Sequence, residues 1–325
     1  MQFPDNFFQD ECRCGFMVSE MMKRAWAAEL EVLEIVTDIC KKYHLQYFAD
    51  GGTLLGAVRH QGFIPWDDDI DIALRREDYN HLIRVLPREL PNGFVIAGMY
   101  ADSERLQKAA EVQQLRVIAD ENYWSFSEYL KRFHGFPYLR IGIDIFVLDY
   151  IPRDTSLADT QKYLVHFTMD LLCNWDYYVQ QNQLETQLTS IENLCNIKLK
   201  RDDQLKHKLW LLVDSLCSLY HGDESDDIAM YPFWITDDSF RLSKDCYAES
   251  IEVPFEHTQI AIPKKFHEVL TGEFGDYMVP IQGAAEHEYP FYKNQERELQ
   301  EIFRREGIHE SVAAFCRKFT NLINY

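Results

Sequence analysis

The chain has 325 residues, of which 46% are hydrophobic and 14% aromatic, and its formal net charge at pH 7 is -20. This composition is typical of a globular protein and argues against a disordered chain. The acidic excess argues against broad binding to nucleic acid or to an anionic membrane surface, because both require basic faces. A local metal ion and a few arginines can still hold an anionic nucleotide.

The sequence contains no element that predicts export or membrane insertion. Residues 1–11 lack the basic stretch and apolar run of a signal peptide, and no apolar run is long enough to span a bilayer. The eight cysteines are scattered along a long chain, which is not the pattern of a disulfide framework. We expect a cytoplasmic protein without a transmembrane segment. Peripheral contact with the inner face of the membrane is compatible with this expectation.

The hydrophobic pattern predicts helices and strands in alternation. Apolar residues at steps of three and four predict a helix over residues 19–43, with Ser19 as its cap. Further helices are predicted at 53–59, 76–86, within 157–221, and through about residue 320. Strands are predicted at 45–49, 94–99, 112–119 and 228–235, with a turn at Gly51-Gly52 and a polar loop at 221–227.

The most informative segment is an acidic strand. Asp69 and Asp71 alternate with Ile70 and Ile72, so both acids point to one face and both isoleucines to the core. A second strand, predicted over 138–152, places Asp144 opposite its aliphatic face, with Arg140 on the same side as Asp144.

Three carboxylates from two strands predict a divalent cation site. Mg²⁺ prefers a few carboxylates together with phosphate oxygens from a substrate, and Mn²⁺ is an alternative ion. Asp69, Asp71 and Asp144 are therefore the candidate metal ligands and catalytic residues, and the site suggests phosphoryl or nucleotidyl transfer. An EF-hand starting at Asp67 is rejected, because Ile72 stands where the loop needs glycine. An acidic strand on a solvated edge is the alternative, which the alternating isoleucines disfavour.

The Gly51-Gly52 pair precedes a short helix that begins near Thr53. Glycine permits close backbone approach, and a helix N-terminus presents free N–H groups to a phosphate. These three residues are candidate substrate-binding residues. Arg59 and His60 follow closely and are candidates for contact with a donor phosphate, although His60 is equally well interpreted as an ordinary polar loop residue.

Several motifs together resemble the LicD family of the nucleotidyltransferase fold. They are GGTLLGAVRHQGFIPWDDDIDIA (51–73), QLR (114–116), GIDIFVLDYIP (142–152), VPFEHTQIAIP (253–263) and EFGDYM (273–278). The resemblance implies an α/β (α+β) fold, a mixed sheet flanked by helices with a helical insertion. The predicted boundaries are a catalytic core with its N-terminal helix at 1–150, a mainly helical insertion at 151–245, and a C-terminal segment at 246–325 that packs back on the core.

The resemblance also implies a reaction. LicD-like proteins move phosphocholine from CDP-choline to a hydroxyl of a cell-surface glycan and release CMP, and related fukutin-type proteins move ribitol phosphate. It implies that Asp69, Asp71 and Asp144 hold Mg²⁺ against the donor diphosphate, with Arg116 and Arg140 as further substrate-binding candidates. Asp67 and Asp68 are either outer partners of the ligands or the general base. The implied partners are a CDP-linked donor and a glycan or lipid-linked glycan acceptor.

Other functions remain open at this point. One is a nucleotidyltransferase that releases pyrophosphate. Another is a glycosyltransferase that binds a nucleotide sugar through its D-x-D motif. A third is a catalytically silent nucleotide-binding protein of the same fold, which the retained Asp69, Asp71 and Asp144 disfavour.

Overall fold

The computed structural model describes residues 1–101, 115–139, 141–282 and 289–322. The α-helices in these ranges are α1 (Glu20–Lys42), α2 (Gly51–His60), α3 (Arg76–Glu89), α4 (Phe126–Arg132), α5 (Thr155–Cys173), α6 (Trp175–Gln180), α7 (Leu184–Cys195), α8 (Leu205–Cys217), α9 (Tyr231–Trp234), α10 (Phe266–Phe274), α11 (Glu296–Arg305) and α12 (Val312–Arg317). The strands are β1 (Glu11–Arg13), β2 (Phe16–Val18), β3 (Tyr47–Ala49), β4 (Asp71–Arg75), β5 (Phe94–Ala97), β6 (Leu115–Ala119), β7 (Gly142–Pro152), β8 (Ser225–Ala229), β9 (Arg241–Ser243), β10 (Ser250–Phe255) and β11 (Thr258–Pro263).

The first helix forms as its pattern predicts. The Ser19 hydroxyl accepts a hydrogen bond from the Met22 N–H at 3.2 Å, which satisfies one of the free donors of the first turn. Trp26 is fully buried and stacks on Phe63 with ring centroids 4.7 Å apart. Since Phe63 belongs to the segment that leads into the acidic strand, this stacking fixes α1 against that segment.

A mixed sheet lies at the centre of the molecule. Its strands follow the order β3-β4-β7-β6-β5, and β8 and β9 continue from the far end of β7. The β4–β7 pair is parallel, whereas the other pairs in this sheet are antiparallel. The predicted α/β class, a mixed sheet flanked by helices, is confirmed.

The start of α2 corrects one predicted turn. Gly51 and Gly52 are the first residues of α2 and not a turn before it, and Asp50 is the N-cap residue. Gly51 has φ +48°, which glycine adopts without the steric cost of a side chain. The acidic strand also starts later than predicted, at Asp71, although the Asp144 N–H already donates to the Ile70 carbonyl at 3.0 Å.

Three predicted elements in the second half of the chain are wrong in their bounds. The predicted loop at 221–227 contains the start of β8, and the predicted strand at 228–235 ends at Ala229 and continues into α9. Pro232 lies in the first turn of α9, where its missing N–H costs nothing. The single charged helix predicted through about residue 320 is two helices, α11 and α12.

The buried apolar side chains form two clusters. The larger contains the sheet, α1 and the β10–β11 hairpin, and the smaller lies among α5, α7, α8 and α9. The domain boundaries at 150 and 245 stay a prediction. In the described ranges every helix is too short or too polar to cross a lipid bilayer. All eight cysteines are free thiols.

Candidate active site

Two parallel strands place Asp71 and Asp144 side by side. They are register partners on β4 and β7, and neighbouring strands lie roughly 4.8 Å apart. Ile72 and Ile145, the next residues along the two strands, are fully buried on the opposite face. The two carboxylates therefore share one face of the sheet.

The loop before β4 adds three acids to this face. Asp67, Asp68 and Asp69 each offer a carboxylate oxygen, and these oxygens lie within 4.8 Å of one another. Trp26 holds the loop by donating its indole N–H to the Asp67 carbonyl at 3.0 Å, and the Phe291 N–H donates to the Asp68 carboxylate at 2.6 Å. The loop is thus held both by α1 and by the C-terminal segment.

The acids perturb one another's protonation. Burial raises the pKa of Asp71 well above its usual range, and the charges of Asp69, Asp144 and Asp50 raise it further. Burial likewise raises the pKa of Asp67, with additional contributions from Asp69. Carboxylates crowded in this way repel one another unless a cation or protons neutralise them.

The donor set fits a divalent cation of the Mg²⁺ type. It consists of carboxylate oxygens alone, which hard cations prefer, and burial together with the neighbouring acids raises the pKa values of Asp67 and Asp71. Asp69, Asp71 and Asp144 are the residues that would hold Mg²⁺, and Mn²⁺ suits the same oxygens. These ligand assignments stay a prediction.

The N-terminus of α2 lies beside β4. The Asp71 N–H donates to the Thr53 hydroxyl at 2.9 Å, which ties the first turn of α2 to the first residue of the strand. A Cβ added to Gly52 would lie 2.5 Å from Oδ2 of Asp67, so the Asp67 carboxylate lies directly against this glycine. Gly51, Gly52 and Thr53 are therefore brought next to the acids, while their contact with a phosphate stays a prediction.

Asp50 and Glu273 are two further buried acids near Asp71 that the sequence motifs do not predict. Asp50 is 5% exposed, and its N–H donates to the Asp71 carbonyl at 3.1 Å. Burial raises the pKa of Asp50 to about 7, and burial together with the Asp50 charge raises that of Glu273 to about 8. The two carboxyls line a small cavity with Tyr247. Sequence signals existed, because Asp50 directly precedes Gly51 and Glu273 opens the EFGDYM motif.

Arg116 lies at the edge of the carboxylate cluster. It is the cross-strand partner of Asp144 on β6, and its guanidinium forms an ion pair with the Asp144 carboxylate. Its side chain is 44% exposed, so it remains accessible to a ligand. Arg140, the other predicted arginine, lies outside the described residues.

Arg59 and His60 are not brought to the glycines. They end α2, roughly 12 Å along the helix axis from Gly51. Arg59 donates to the Tyr277 carbonyl at 2.8 Å and to His60 Nε2 at 2.9 Å. Burial and the neighbouring Arg59 charge lower the pKa of His60. Their contact with a donor phosphate stays a prediction.

The fold and the site define an α/β domain with a carboxylate cluster on one face of a mixed sheet. Residues 44–166 match the family described as LicD/FKTN/FKRP, nucleotidyltransferase domain. The matched segment contains β3, α2, β4 and β7, and hence Asp69, Asp71 and Asp144. The resemblance to the LicD family predicted from the sequence motifs is confirmed.

Relatives with known names share parts of this segment. The lipopolysaccharide cholinephosphotransferase LicD of Haemophilus influenzae is 46% identical over 56 residues, 17% of this chain and 21% of that protein. The ribitol 5-phosphate transferase FKRP is 40% identical in Homo sapiens and 32% in Mus musculus, each over 94 residues, 28% of this chain and 18% of that protein. The chain thus spans about a fifth of the length of these curated relatives.

Proposed function

We propose that this chain transfers a phosphate-containing group, phosphocholine or a related alditol phosphate, from a CDP-linked donor to a hydroxyl of a glycan or lipid-linked glycan. The observation that carries the proposal is the register pairing of Asp71 with Asp144 inside the segment that matches the LicD family. Modification of a cell-surface polysaccharide at the cytoplasmic face of the membrane is the corresponding setting.

The relatives' names support the class of transferred group. One relative is named for cholinephosphate and another for ribitol 5-phosphate, so the shared element is a phosphate that carries a small alcohol. The proposal therefore names CDP-linked donors as a class.

The reaction is a substitution at the phosphorus of the transferred group. The acceptor oxygen forms a bond to that phosphorus, the bond to the bridging oxygen breaks, and CMP leaves with the electron pair. The hydroxyl proton passes to a nearby carboxylate, for which Asp67 and Asp68 are the two candidates. Mg²⁺, when bound, neutralises the charge that develops on the phosphate oxygens.

The chain's own residues position the donor and the cation. Asp69, Asp71 and Asp144 orient the ion, and the first turn of α2 directs backbone N–H groups toward phosphate oxygens. Arg116 adds positive charge once its carboxylate partner engages the cation. A cation bound by the acids would neutralise their negative charge, so the acids would repel the donor phosphates less.

A donor screen tests the proposal. The purified chain with Mg²⁺ is incubated with CDP-choline, CDP-ribitol, CDP-glycerol, CTP and UDP-sugars, and the products are identified by mass spectrometry. We expect CMP from a CDP-linked donor and none from Asp71→Asn. Asp226→Asn, which removes an exposed carboxylate that pairs with Arg153 on the surface, is the matched control and should retain activity.

The same screen separates the alternatives. Pyrophosphate released from CTP would assign the chain to nucleotidyl transfer. Release of UDP from a UDP-sugar would indicate a glycosyltransferase. Equal CMP release by the wild type and by Asp71→Asn would contradict the assignment of Asp71 as a catalytic residue.

A further inference from the structure

The turn of the β10–β11 hairpin places a charged side chain inside the protein. Glu256 is the first of the two residues that join β10 to β11, and its side chain is 5% exposed. Its φ is +50°, in the left-handed region that residues other than glycine rarely adopt. Such backbone strain persists where surrounding contacts enforce it, and it concentrates at functional sites. Glu256 belongs to the VPFEHTQIAIP motif, to which the proposed reaction assigns no role.

Glu256 holds the segment that follows α2. Its N–H donates to the Gln61 carbonyl at 2.8 Å, and its carboxylate accepts a hydrogen bond from the Phe63 N–H at 3.2 Å. A Cβ added to the intervening Gly62 would lie 2.2 Å from Oε1 of Glu256, so residues 61–63 close tightly around the carboxylate. The path of the chain from α2 toward the acidic loop is therefore fixed by contacts with this one residue.

The same carboxylate binds an arginine of the β1–β2 hairpin. Both terminal nitrogens of Arg13 donate to Glu256, one to each carboxylate oxygen, and the longer of the two bonds measures 3.0 Å. A bidentate pair of arginine and carboxylate fixes orientation as well as position. Glu256 thus connects two hairpins with the segment after α2.

Both partners of Glu256 contact Trp26, which holds the acidic loop. The Phe63 ring stacks on the indole with an interplanar angle of 2°, and the Arg13 guanidinium lies 5.2 Å from the centroid of the indole. The indole N–H in turn donates to the Asp67 carbonyl at 3.0 Å. A continuous series of contacts therefore leads from Glu256 to the loop of three acids.

We propose that Glu256 is a positioning residue for the cation site, and that with Arg13 it holds Phe63 and Trp26 in the arrangement that presents the acidic loop to a divalent cation. The three carboxylates of the loop repel one another, so a loop free to move apart would bind the cation less tightly. Glu256 acts through these neighbours and not by contact with the cation. The inference rests on the cation site of the proposed function, but it does not depend on the identity of the donor.

Mn²⁺ binding to the whole chain tests the role of Glu256. After removal of metal with a chelator, Mn²⁺ is titrated into the protein, and free Mn²⁺ is followed by electron paramagnetic resonance. Glu256→Gly removes the carboxylate and accommodates the positive φ without steric cost, so the turn should still form. We expect this variant to bind Mn²⁺ about tenfold more weakly than the wild type, as when a group that orients metal ligands is lost. Glu256→Gln should recover part of this loss, because its amide oxygen can still accept from the Phe63 N–H.

Two further comparisons separate positioning from a general effect on the hairpin. Glu252→Gln is the matched control, because it removes an exposed carboxylate from the same strand pair, and it should bind Mn²⁺ as the wild type does. Arg13→Gln should weaken binding as Glu256→Gln does. The double variant should show little further loss, because the two side chains act as one unit. Circular dichroism of the metal-free variants establishes that each is folded at the temperature of the titration.

The proposal is overturned if Glu256→Gly and Glu256→Gln bind Mn²⁺ with wild-type affinity while Asp71→Asn loses binding. Glu256 would then stabilise the hairpin alone. If Glu256→Gly does not fold, Glu256→Gln decides by the same criterion. A wild type that binds no Mn²⁺ would remove the cation site, and this inference with it. A chain that binds Mn²⁺ but releases no CMP from any donor would contradict the proposed reaction, and the titration would still decide the role of Glu256.

Discussion

The Asp67 carboxylate lies against Gly52, so that a Cβ on this glycine would stand 2.5 Å from Asp67 Oδ2. Because Gly52 is the second residue of α2 and Asp67 belongs to the acidic loop, this contact joins the candidate phosphate-binding turn to the candidate metal ligands. A side chain at position 52 must displace an acid of the site.

Gly52→Ala should therefore weaken cation and donor binding together. Displacement of Asp67 by about an ångström is expected to lower turnover about tenfold or more, since misplacement of that size is costly in an active site. Mn²⁺ affinity and the donor Kd, measured on the same sample, check this. Gly222→Ala, whose Cβ would meet the Tyr150 ring at 3.3 Å, is the control and should change neither. Unchanged cation affinity in Gly52→Ala would show that the contact does not shape the site.

The ion pair between Arg116 and Asp144 predicts opposite effects on two ligands. Arg116→Gln removes a positive charge that competes with a cation for Asp144, so cation affinity measured without donor should rise. Donor affinity should fall roughly tenfold, the size of a lost charge-assisted hydrogen bond to phosphate. Calorimetry with each ligand separates the two effects. Arg153→Gln, which breaks an exposed ion pair with Asp226, should affect neither, and a loss of both affinities in Arg116→Gln would indicate damage to the sheet edge instead.

The raised pKa of Glu273 predicts how stability depends on pH. The pKa is about 8 in the folded chain, whereas an unfolded glutamate titrates near pH ~4.3. The folded state therefore holds a proton that the unfolded state has already lost, so this contribution to stability is fully present below pH ~4.3 and is lost as the pH rises toward about 8.

Glu273→Gln should make the melting temperature depend less steeply on pH. Melting temperatures of the metal-free protein between roughly pH 5 and 9, the window in which a carboxyl of such raised pKa titrates, check the prediction. The exposed Glu298, replaced by Gln, should leave the slope as in the wild type. If the melting temperature of Glu273→Gln depended on pH as steeply as that of the wild type, the Glu273 carboxyl would have to be ionised in the folded wild type throughout this pH window.

A buried ion pair connects the sheet to the helical region. Arg76 is 3% exposed and donates to both carboxylate oxygens of Asp149 on β7, at 2.6 and 2.7 Å, and to Asp214 on α8 at 2.9 Å. Arg76→Met leaves the fully enclosed Asp149 carboxylate without its ion-pair partner and leaves Asp214 with only the Tyr100 hydroxyl, and it should lower the free energy of unfolding by about 3–5 kcal/mol. Urea unfolding measures this. Arg317→Gln, at an exposed pair with Glu20, should cost less than about 1 kcal/mol, and equal losses in the two variants would contradict the burial argument.

Local sequence pattern predicted the elements that carry the proposed metal ligands. The alternation of acid and isoleucine in 69–72 and the aliphatic face of 141–147 require only strand geometry, and two strands form there with their isoleucines buried, although β4 begins only at Asp71 and Asp69 lies in the loop before it. The steps of three and four in α1 and its Ser19 cap are likewise local, and both are confirmed.

The positions of Asp50 and Glu273 could not be predicted in the same way. A carboxylate in a helical pattern is normally a solvated position, and its burial depends on what the helix packs against. Glu273 lies against segments distant in sequence, among them the one that carries Asp50, and hydrophobic periodicity does not reveal such packing. Glycine favours turns, so the Gly51-Gly52 pair predicts one, yet in the structure both residues open α2 and Gly51 adopts a positive φ there.

The most direct test of the central claim is to find which product carries ¹⁸O after slow hydrolysis of the donor in labelled water. The chain with Mg²⁺ and the CDP-linked donor found in the screen is incubated in H₂¹⁸O without acceptor, so that water replaces the hydroxyl. We predict ¹⁸O in the released alcohol phosphate, unlabelled CMP, and a rate at least roughly 100-fold lower in Asp71→Asn. Label in CMP would place the attack on the nucleotide phosphorus, and an unchanged rate in Asp71→Asn would remove Asp71 from the reaction; either result would contradict the account.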